Sequence, residues 1–201
     1  MRTVTGLFDD YEAARDAVSD LEAAGVPSDD ISIVANNTGD RYSTEDSNAA
    51  EGAGTGAGLG AAGGGVVGLL TGLGLMAIPG VGPVVAAGWL ASTAAGAAAG
   101  AVAGGAAGGI IGALTDSGVN EDDAHVYAEG IRRGGTLVTA RVDDSLANQA
   151  ETILQQRNRV DLSGRRSIYA QEGWSRFDEN ADPYTLDQVK RERERYRPMM
   201  P

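Results

Sequence analysis

Glycine recurs at intervals of four, in two rows, within a long segment, residues 52–115, that contains no charged residue. Because four residues return to nearly the same face of an α-helix, this interval predicts two helices that each carry a row of glycines. Glycine costs a helix about 1 kcal/mol relative to alanine, so such a row is favourable only where another backbone packs closely against it. The segment therefore predicts a glycine-zipper helical hairpin. The zipper positions are Gly52, Gly56, Gly60, Gly64, Gly68, Gly72, Gly88, Ser92, Gly96, Gly100, Gly104, Gly108 and Gly112.

The two predicted helices are joined at residues 78–83, where Pro79, Gly80, Gly82 and Pro83 favour a turn. A helix over residues 52–77 would be about 39 Å long and one over residues 84–115 about 48 Å, and either could cross a hydrocarbon core of about 30 Å. Trp89 follows the turn, where an interfacial anchor is expected. We therefore expect a transmembrane hairpin, with the hairpins of several copies packed together as a scaffold or membrane-packing element.

A soluble homo-oligomer is the alternative, because the second helix is mostly alanine and glycine and would insert only marginally. A small body could not cover two long apolar helices, so a soluble protein would have to bury its zippers between copies. In that case the body would bind a ligand or a partner. A pore is less favoured, since few polar side chains in the segment could select an ion.

The remainder of the chain predicts a small α+β body with an acidic surface. Strands are predicted at residues 1–8, 30–35, 136–142 and 160–163, and helices start after Asp9, Asn120 and Asp144. Without the insertion, the order is strand, helix, strand, repeated once. This is the ferredoxin-like split βαβ plan, with the zipper and one extra helix inserted between its halves.

Five parts follow from this assignment. They are the first half of the ferredoxin-like domain at 1–35, a polar linker at 36–51, the glycine-zipper hairpin at 52–115, the extra helix and second half of the domain at 116–164, and an aromatic and basic C-terminal tail at 165–201.

The order of four sequence pieces resembles a bacterial general-stress protein family. The pieces are GLFDDYEAARDAVSDLEAAGV, DISIVA, IPGVGP and GVNEDDAHVYAEGIRRGGTLVTARV. Members of this family are small, often heat-induced proteins that split a small α/β domain around a Gly/Ala-rich apolar segment. The resemblance covers residues 3–164. It implies a stress association and membrane contact, and it supplies no catalytic residues.

The sequence nominates no catalytic, metal or cofactor site. The chain has no cysteine, which excludes a thiolate nucleophile, and its net charge of −12 disfavours nucleic-acid binding. His125 is the only histidine, so no histidine pair could bind a metal, and we expect its side chain to be solvated. Gly58, Gly60 and Gly63 match a dinucleotide fingerprint, but no acidic residue follows at the required distance. We therefore expect no enzyme and no cofactor.

Two further groups of residues are candidates for contacts. Arg132 and Arg133 precede a glycine helix stop, where cations stabilise exposed carbonyls, and they could instead bind anionic lipid headgroups. In the tail, Thr185 and Gln188 form a capping box that predicts a helix at residues 186–197. The aromatic residues before it are expected either to be solvated or to contact a neighbouring subunit, and they include Trp174, Phe177 and Tyr184.

The N-terminus becomes acidic early and lacks an apolar stretch, so it does not resemble a signal peptide. We expect the body and both termini to lie at the cytoplasmic face of the cytoplasmic membrane. For the soluble alternative, the expected location is the cytoplasm.

Overall fold

The computed structural model describes residues 1–39, 74–93 and 109–196 of the chain. These residues form an antiparallel sheet with helices on both faces, which confirms the α+β class. In chain order the elements are β1 (Arg2–Phe8), α1 (Tyr11–Ala23), β2 (Ile31–Asn36), β3 (Gly74–Ile78), β4 (Gly82–Gly88), α2 (Ile110–Asp116), α3 (Glu121–Arg132), β5 (Thr136–Val142), α4 (Asp144–Gln156), α5 (Leu162–Gln171) and α6 (Leu186–Tyr196).

The strand order in the sheet is β1-β5-β2-β4-β3, and every neighbouring pair is antiparallel. Because β5 lies between β1 and β2 and runs opposite to both, β1 and β2 are parallel to each other. The helix α1 connects them across β5. This arrangement is one split βαβ unit, and β4 and β3 extend the sheet beyond β2.

Side chains alternate along the strands between two hydrophobic layers, as the two-residue period of a strand requires. One layer lies under α1 and α4 and contains Phe8, Ile33 and Val138. The other lies under α2 and α3 and contains Leu7 and Val34, next to Phe8 and Ile33 in the sequence. Residues of the β3–β4 hairpin and of the C-terminal part of the chain also pack in this second layer.

Local capping explains where several helices begin. Asn120 accepts a hydrogen bond from the backbone N–H of Asp122 at 2.9 Å, as the sequence predicts. Thr185 and Gln188 form the predicted capping box, in which the Gln188 side chain accepts from the Thr185 backbone N–H at 2.8 Å. At α1 the cap is Asp10 rather than Asp9, because Asp9 is paired with an arginine of α5.

The predicted strand at residues 160–163 is wrong. Asp161 caps α5 by accepting from the backbone N–H groups of Ser163 and Gly164, so a helix begins at Leu162. Only Val160 reaches the sheet, where its N–H donates to the Leu7 carbonyl at 2.8 Å. The ferredoxin-like plan therefore lacks its fourth strand.

The predicted helices of the apolar hairpin are wrong over residues 74–77 and 84–88, which lie in the strands β3 and β4. Val84 and Val85 are β-branched and therefore favour a strand, and β4 pairs with β2 from Asn36 to Ser32. Residues 89–93 and 110–116 are helical, and the rest of the predicted helices lies outside the described residues. Within the described ranges, no helix has the length and apolar character needed to span a membrane.

Candidate assembly site at the edge hairpin

The hairpin β3–β4 forms one edge of the sheet. Its strands are paired from Gly74 opposite Ala86 to Ile78 opposite Gly82. The connecting turn is closed by the Val81 N–H, which donates to the Ile78 carbonyl at 3.0 Å, and Gly80 adopts a φ of 71°. A turn therefore lies within residues 78–83 as the prolines and glycines predict, but it joins two strands of a sheet.

Among the described strands β3 is the outermost at its end of the sheet, and its own side chains are uncharged. Its five residues, GLMAI, contain no charged or proline side chain. Leu75 is 57% exposed, and among the described residues Met1 is the other exposed large hydrophobic side chain. The backbone groups of an edge strand that point away from its neighbour are free to pair with another strand. This edge is therefore a candidate contact surface.

The end of β4 is fixed to β2 by a close backbone approach at Gly88. This residue has a φ of 87°, and a Cβ there would collide with the Ile31 carbonyl and lie 2.8 Å from Ser32 Cα. Gly88 is the first position of the second predicted glycine row. Its missing side chain is used inside the chain, to let β4 approach β2.

Trp89, the predicted membrane-interface anchor, is also engaged within the body. Its indole Nε1 donates to the Asp30 carbonyl at 3.1 Å. The guanidinium of Arg141 lies 4.8 Å from the centre of the indole and pairs with the Asp30 carboxylate at 2.8 Å. This cluster holds the chain where it leaves β4.

The tip of the hairpin is covered by residues 172–185, which we call the C-terminal strap. Phe177 is 5% exposed and belongs to the same hydrophobic cluster as Ile78 and Val81. A Cβ on Gly80 would lie 2.6 Å from the Asp178 carbonyl oxygen. The turn that the sequence placed across a bilayer is thus packed beneath the chain's own C-terminal region.

The other aromatic residues of the strap contact the same chain. The guanidinium of Arg132 lies 4.8 Å from the centre of the Tyr184 ring and donates to the Asp182 carbonyl at 2.8 Å. Trp174 packs edge-on against Tyr169 of α5, with ring centres 5.6 Å apart. The tail contacts expected with a neighbouring subunit are made here within one chain.

A network of charged groups, the Arg133 cluster, joins α3, α5 and α6. Arg133 is 6% exposed and donates to Glu129 at 2.7 Å, to Glu192 at 3.1 Å and to Glu172. The ion-paired members of the cluster are Arg132, Arg133, Arg195, Glu129, Glu172 and Glu192. In a separate pair, Arg165 binds both carboxylate oxygens of Asp9, at 2.8 and 2.6 Å.

The formal charges of this cluster cancel, since three arginines face three carboxylates. Burial acts to lower the pKa of Arg133, but the hydrogen bond and charge of Glu129 raise it above its usual range, so the guanidinium stays charged. Burial and the bond to Glu192 raise the pKa of Tyr196 to about 12, and its hydroxyl donates to Glu192 at 2.9 Å. A lipid headgroup would therefore have to displace internal carboxylates to bind Arg133.

The prediction that His125 is solvated is wrong, because its side chain is buried and the residue is 8% exposed. Among the described residues neither ring nitrogen has a hydrogen-bond partner, and Nε2 lies 3.8 Å from Glu121 Oε1. Burial, followed by the charge of Arg176, lowers the pKa of His125 against the opposing effect of Glu121 and Asp122. The histidine is therefore neutral at pH 7. The sequence analysis did not predict that Arg176 of the strap lies close to α3.

Only three of the predicted zipper positions are described. Gly88 contacts β2, the Ser92 hydroxyl donates to the Gly88 carbonyl at 3.4 Å, and Gly112 accepts from the Thr115 hydroxyl at 3.0 Å within α2. Gly52, Gly56, Gly60, Gly64, Gly68, Gly72, Gly96, Gly100, Gly104 and Gly108 lie outside the described residues. In the described ranges, no group of three or more acidic, histidine or cysteine side chains is placed to bind a metal ion.

Sequence reasoning missed two features of this region. The edge strand had a usable signal, since Pro79-Gly80 between two short apolar runs favours a hairpin, but the longer helical period was preferred. In the Arg133 cluster only the pairs of Glu129 with Arg132 and Arg133, three and four residues apart, had a local signal. Glu172 and Glu192 are 39 and 59 residues from Arg133, so these pairings depend on the tertiary fold.

Comparison with known families bears on the N-terminal part of the chain. Residues 3–77 match the family model described as the heat induced stress protein YflT domain. The match includes β1, α1, β2, the first glycine row and most of β3. The resemblance to a bacterial general-stress family is thereby confirmed over residues 3–77. No curated protein and no solved structure matches the chain.

Proposed function

We propose, from the match to a heat-induced stress domain, that this protein is a non-catalytic, stress-associated module that assembles with copies of itself. In this proposal the charge-free glycine rows form the contact between copies, and the α/β body is carried on the assembly. The proposal corresponds to the soluble homo-oligomer of the sequence analysis.

The observation that carries the proposal is the position of the β3–β4 hairpin. The centre of the charge-free segment is a pair of strands within the body's sheet, with its tip beneath Phe177 and Asp178. The first glycine row ends at Gly72, two residues before β3, and the second begins at Gly88, the last residue of β4. Any contact made by the two rows would therefore be attached directly to a rigid sheet.

Charge also favours this segment as the contact. With a net charge of −12, two copies repel each other, and a contact without charged residues adds nothing to this repulsion. The two glycine rows contain no charged residue. If the rows are helical, the four-residue interval would place glycine against glycine and allow close backbone packing with a right-handed crossing.

The test is the molar mass of the full-length protein, measured by size-exclusion chromatography with light scattering over a concentration series. We expect the parent protein to be oligomeric and Gly64→Leu and Gly100→Leu to lower the mass. The matched controls are Ala62→Leu and Ala98→Leu, which lie two residues away and so on the opposite face of a helix. They add the same side chain and should leave the mass unchanged.

Two outcomes would overturn the proposal. If the parent protein is monomeric throughout the series, it does not self-assemble. If all four variants keep the parent's mass, the glycine rows are not the contact. Flotation on a density gradient after an alkaline carbonate wash separates the membrane interpretation, since protein that floats with lipid after the wash would be membrane-integrated.

A further inference from the structure

We propose that β3 pairs with β3 of a second copy, antiparallel and about a two-fold axis, so that one sheet continues through both bodies. This inference rests on the proposed self-assembly and names the element through which the bodies meet. It concerns the described hairpin alone and does not depend on how the glycine rows pack.

The first argument is that, within the described part of the chain, β3 lacks the features that protect edge strands. Natural edges are blunted by charged side chains, proline, bulges or a covering segment. The sequence GLMAI has no charge and no proline, and its pairing with β4 runs without interruption from Gly74 to Ile78. Leu75 is 57% exposed on this strand.

The second argument is that the strand is complementary to itself. In a two-fold antiparallel pair centred on Met76, each Met76 lies opposite its counterpart and each Leu75 lies opposite Ala77 of the other copy. Because Leu75 and Ala77 point to the same face of the sheet, the two leucines would be diagonal neighbours across the axis. Diagonal side chains of this length are within contact distance, so pairing would cover the exposed leucines.

The third argument is charge. Two copies of this chain each have a net charge of −12 and repel each other, but at β3 they would meet without placing like charges side by side. Once other contacts hold two copies together, the effective concentration of one β3 near the other is high, which favours this edge over an unrelated strand. A two-fold contact is closed, so it would join bodies in pairs without starting an open fibre.

The size of the contact limits what it does. Stable interfaces bury about 1,200 to 2,000 Å², which is more than the edge of a five-residue strand can provide. The β3 pair therefore fixes the relative orientation of bodies whose association depends mainly on the charge-free segment.

The absence of cysteine from the chain allows a direct test by disulfide trapping. Opposite Cα atoms in an antiparallel pair are about 4.5 to 5.5 Å apart, within the range of about 4.4 to 6.8 Å that a disulfide spans. After mild oxidation, Met76→Cys should give severalfold more covalent dimer on a non-reducing gel than Asn148→Cys. Asn148 is exposed on α4, which packs on β1 and β5, and serves as the matched control.

A second variant, Leu75→Lys, should lower the yield of Met76→Cys dimer severalfold because it places two positive charges close together at the axis. Circular dichroism would establish that both variants fold. If folded Met76→Cys gives no more dimer than Asn148→Cys while light scattering still shows an oligomer, the β3 pair is wrong and the proposed function stands. If light scattering shows a monomer, both are wrong.

Discussion

The two edges of the sheet differ in how far the rest of the described chain covers them. At the β1 edge, the Val160 N–H donates to Leu7 and the Arg159 guanidinium reaches the Thr5 carbonyl at 3.4 Å. The Arg159 stem also covers Gly6, where a Cβ would lie 3.1 Å from its Cδ. At the β3 edge the strand itself is uncharged, and Leu75 is exposed.

This difference shows how a few contacts can leave one edge of a sheet free to pair with another strand while they cover the other edge. One of the two residues that contact the outer side of β1, Val160, belongs to the segment predicted as a fourth strand. A single backbone bond and a guanidinium are enough to occupy part of the edge, since a positive charge there opposes pairing with another strand. The open edge is on the other side, in the middle of the charge-free segment.

The largest effect is expected from Gly88→Ala, which would break the attachment of the open edge to the rest of the sheet. The positive φ costs an alanine roughly 1 to 3 kcal/mol, and the collision with the β2 backbone costs about as much again. We therefore expect a loss of roughly 2 to 6 kcal/mol of unfolding free energy in urea denaturation.

The matched control is Gly25→Ala, at a glycine with a φ of 94° and no atom within 4 Å of the added carbon. It should show the strain without the collision and lose roughly 1 to 3 kcal/mol. If the two variants were equally stable, the close approach of β4 to β2 would not contribute to the free energy of unfolding.

The second prediction opens the capped edge. Val160→Pro removes the N–H that donates to Leu7 and should lower the unfolding free energy by roughly 1 to 3 kcal/mol. Because β1 would then have a free carbonyl at its outer side, we also expect added association at high protein concentration, measured by light scattering. Val160→Ala keeps the N–H and should not associate further. Equal behaviour of the two variants would mean that this bond does not guard the edge.

The sequence predicted the elements whose signals are local. The strands β1, β2 and β5 are short runs rich in apolar residues, and α1, α3 and α4 have apolar faces. The helix α6 was predicted from the capping box of Thr185 and Gln188, so each of these signals lies within a few neighbouring residues. The segment at residues 160–163 was misassigned because Asp161 is a helix cap, and its capping bonds outweighed a short run that reads as a strand.

The candidate site was harder to predict, because it depends on contacts between distant parts of the chain. Val84 and Val85 form a strand since β2 is beside them, and nothing in the local glycine spacing reveals that neighbour. His125 is buried although its neighbours in the sequence are acidic, and Arg176 of the strap acts on its pKa. The strap is connected to α3 by Arg132, which donates to the Asp182 carbonyl, and by the pair of Arg133 and Glu172. Such pairings are decided by tertiary packing, which outweighs local propensity.

The smallest effect on the free energy of unfolding is expected from lowering the pH. The same change should not affect the pairing of β3. The folded protein lowers the pKa of His125 below its usual value of 6.5, chiefly through burial and the nearby Arg176. Below about pH 6.5 the unfolded chain therefore takes up a proton that the folded protein resists, so stability falls as the pH is lowered toward the pKa in the fold. His125→Phe removes this proton and should flatten the dependence of the urea midpoint between about pH 7 and pH 5.

The same acid range should leave the open edge unaffected, because β3 has no titratable side chain. Disulfide trapping of Met76→Cys, carried out with an oxidant that works at both ends of the range, should then give the same dimer yield while the urea midpoint of that protein falls. The charged groups that face His125 are Glu121, Asp122 and Arg176, and none of them lies on β3. A fall in dimer yield that follows the midpoint would show that the edge depends on the packing of α3, and the two regions would then respond to acid as one unit.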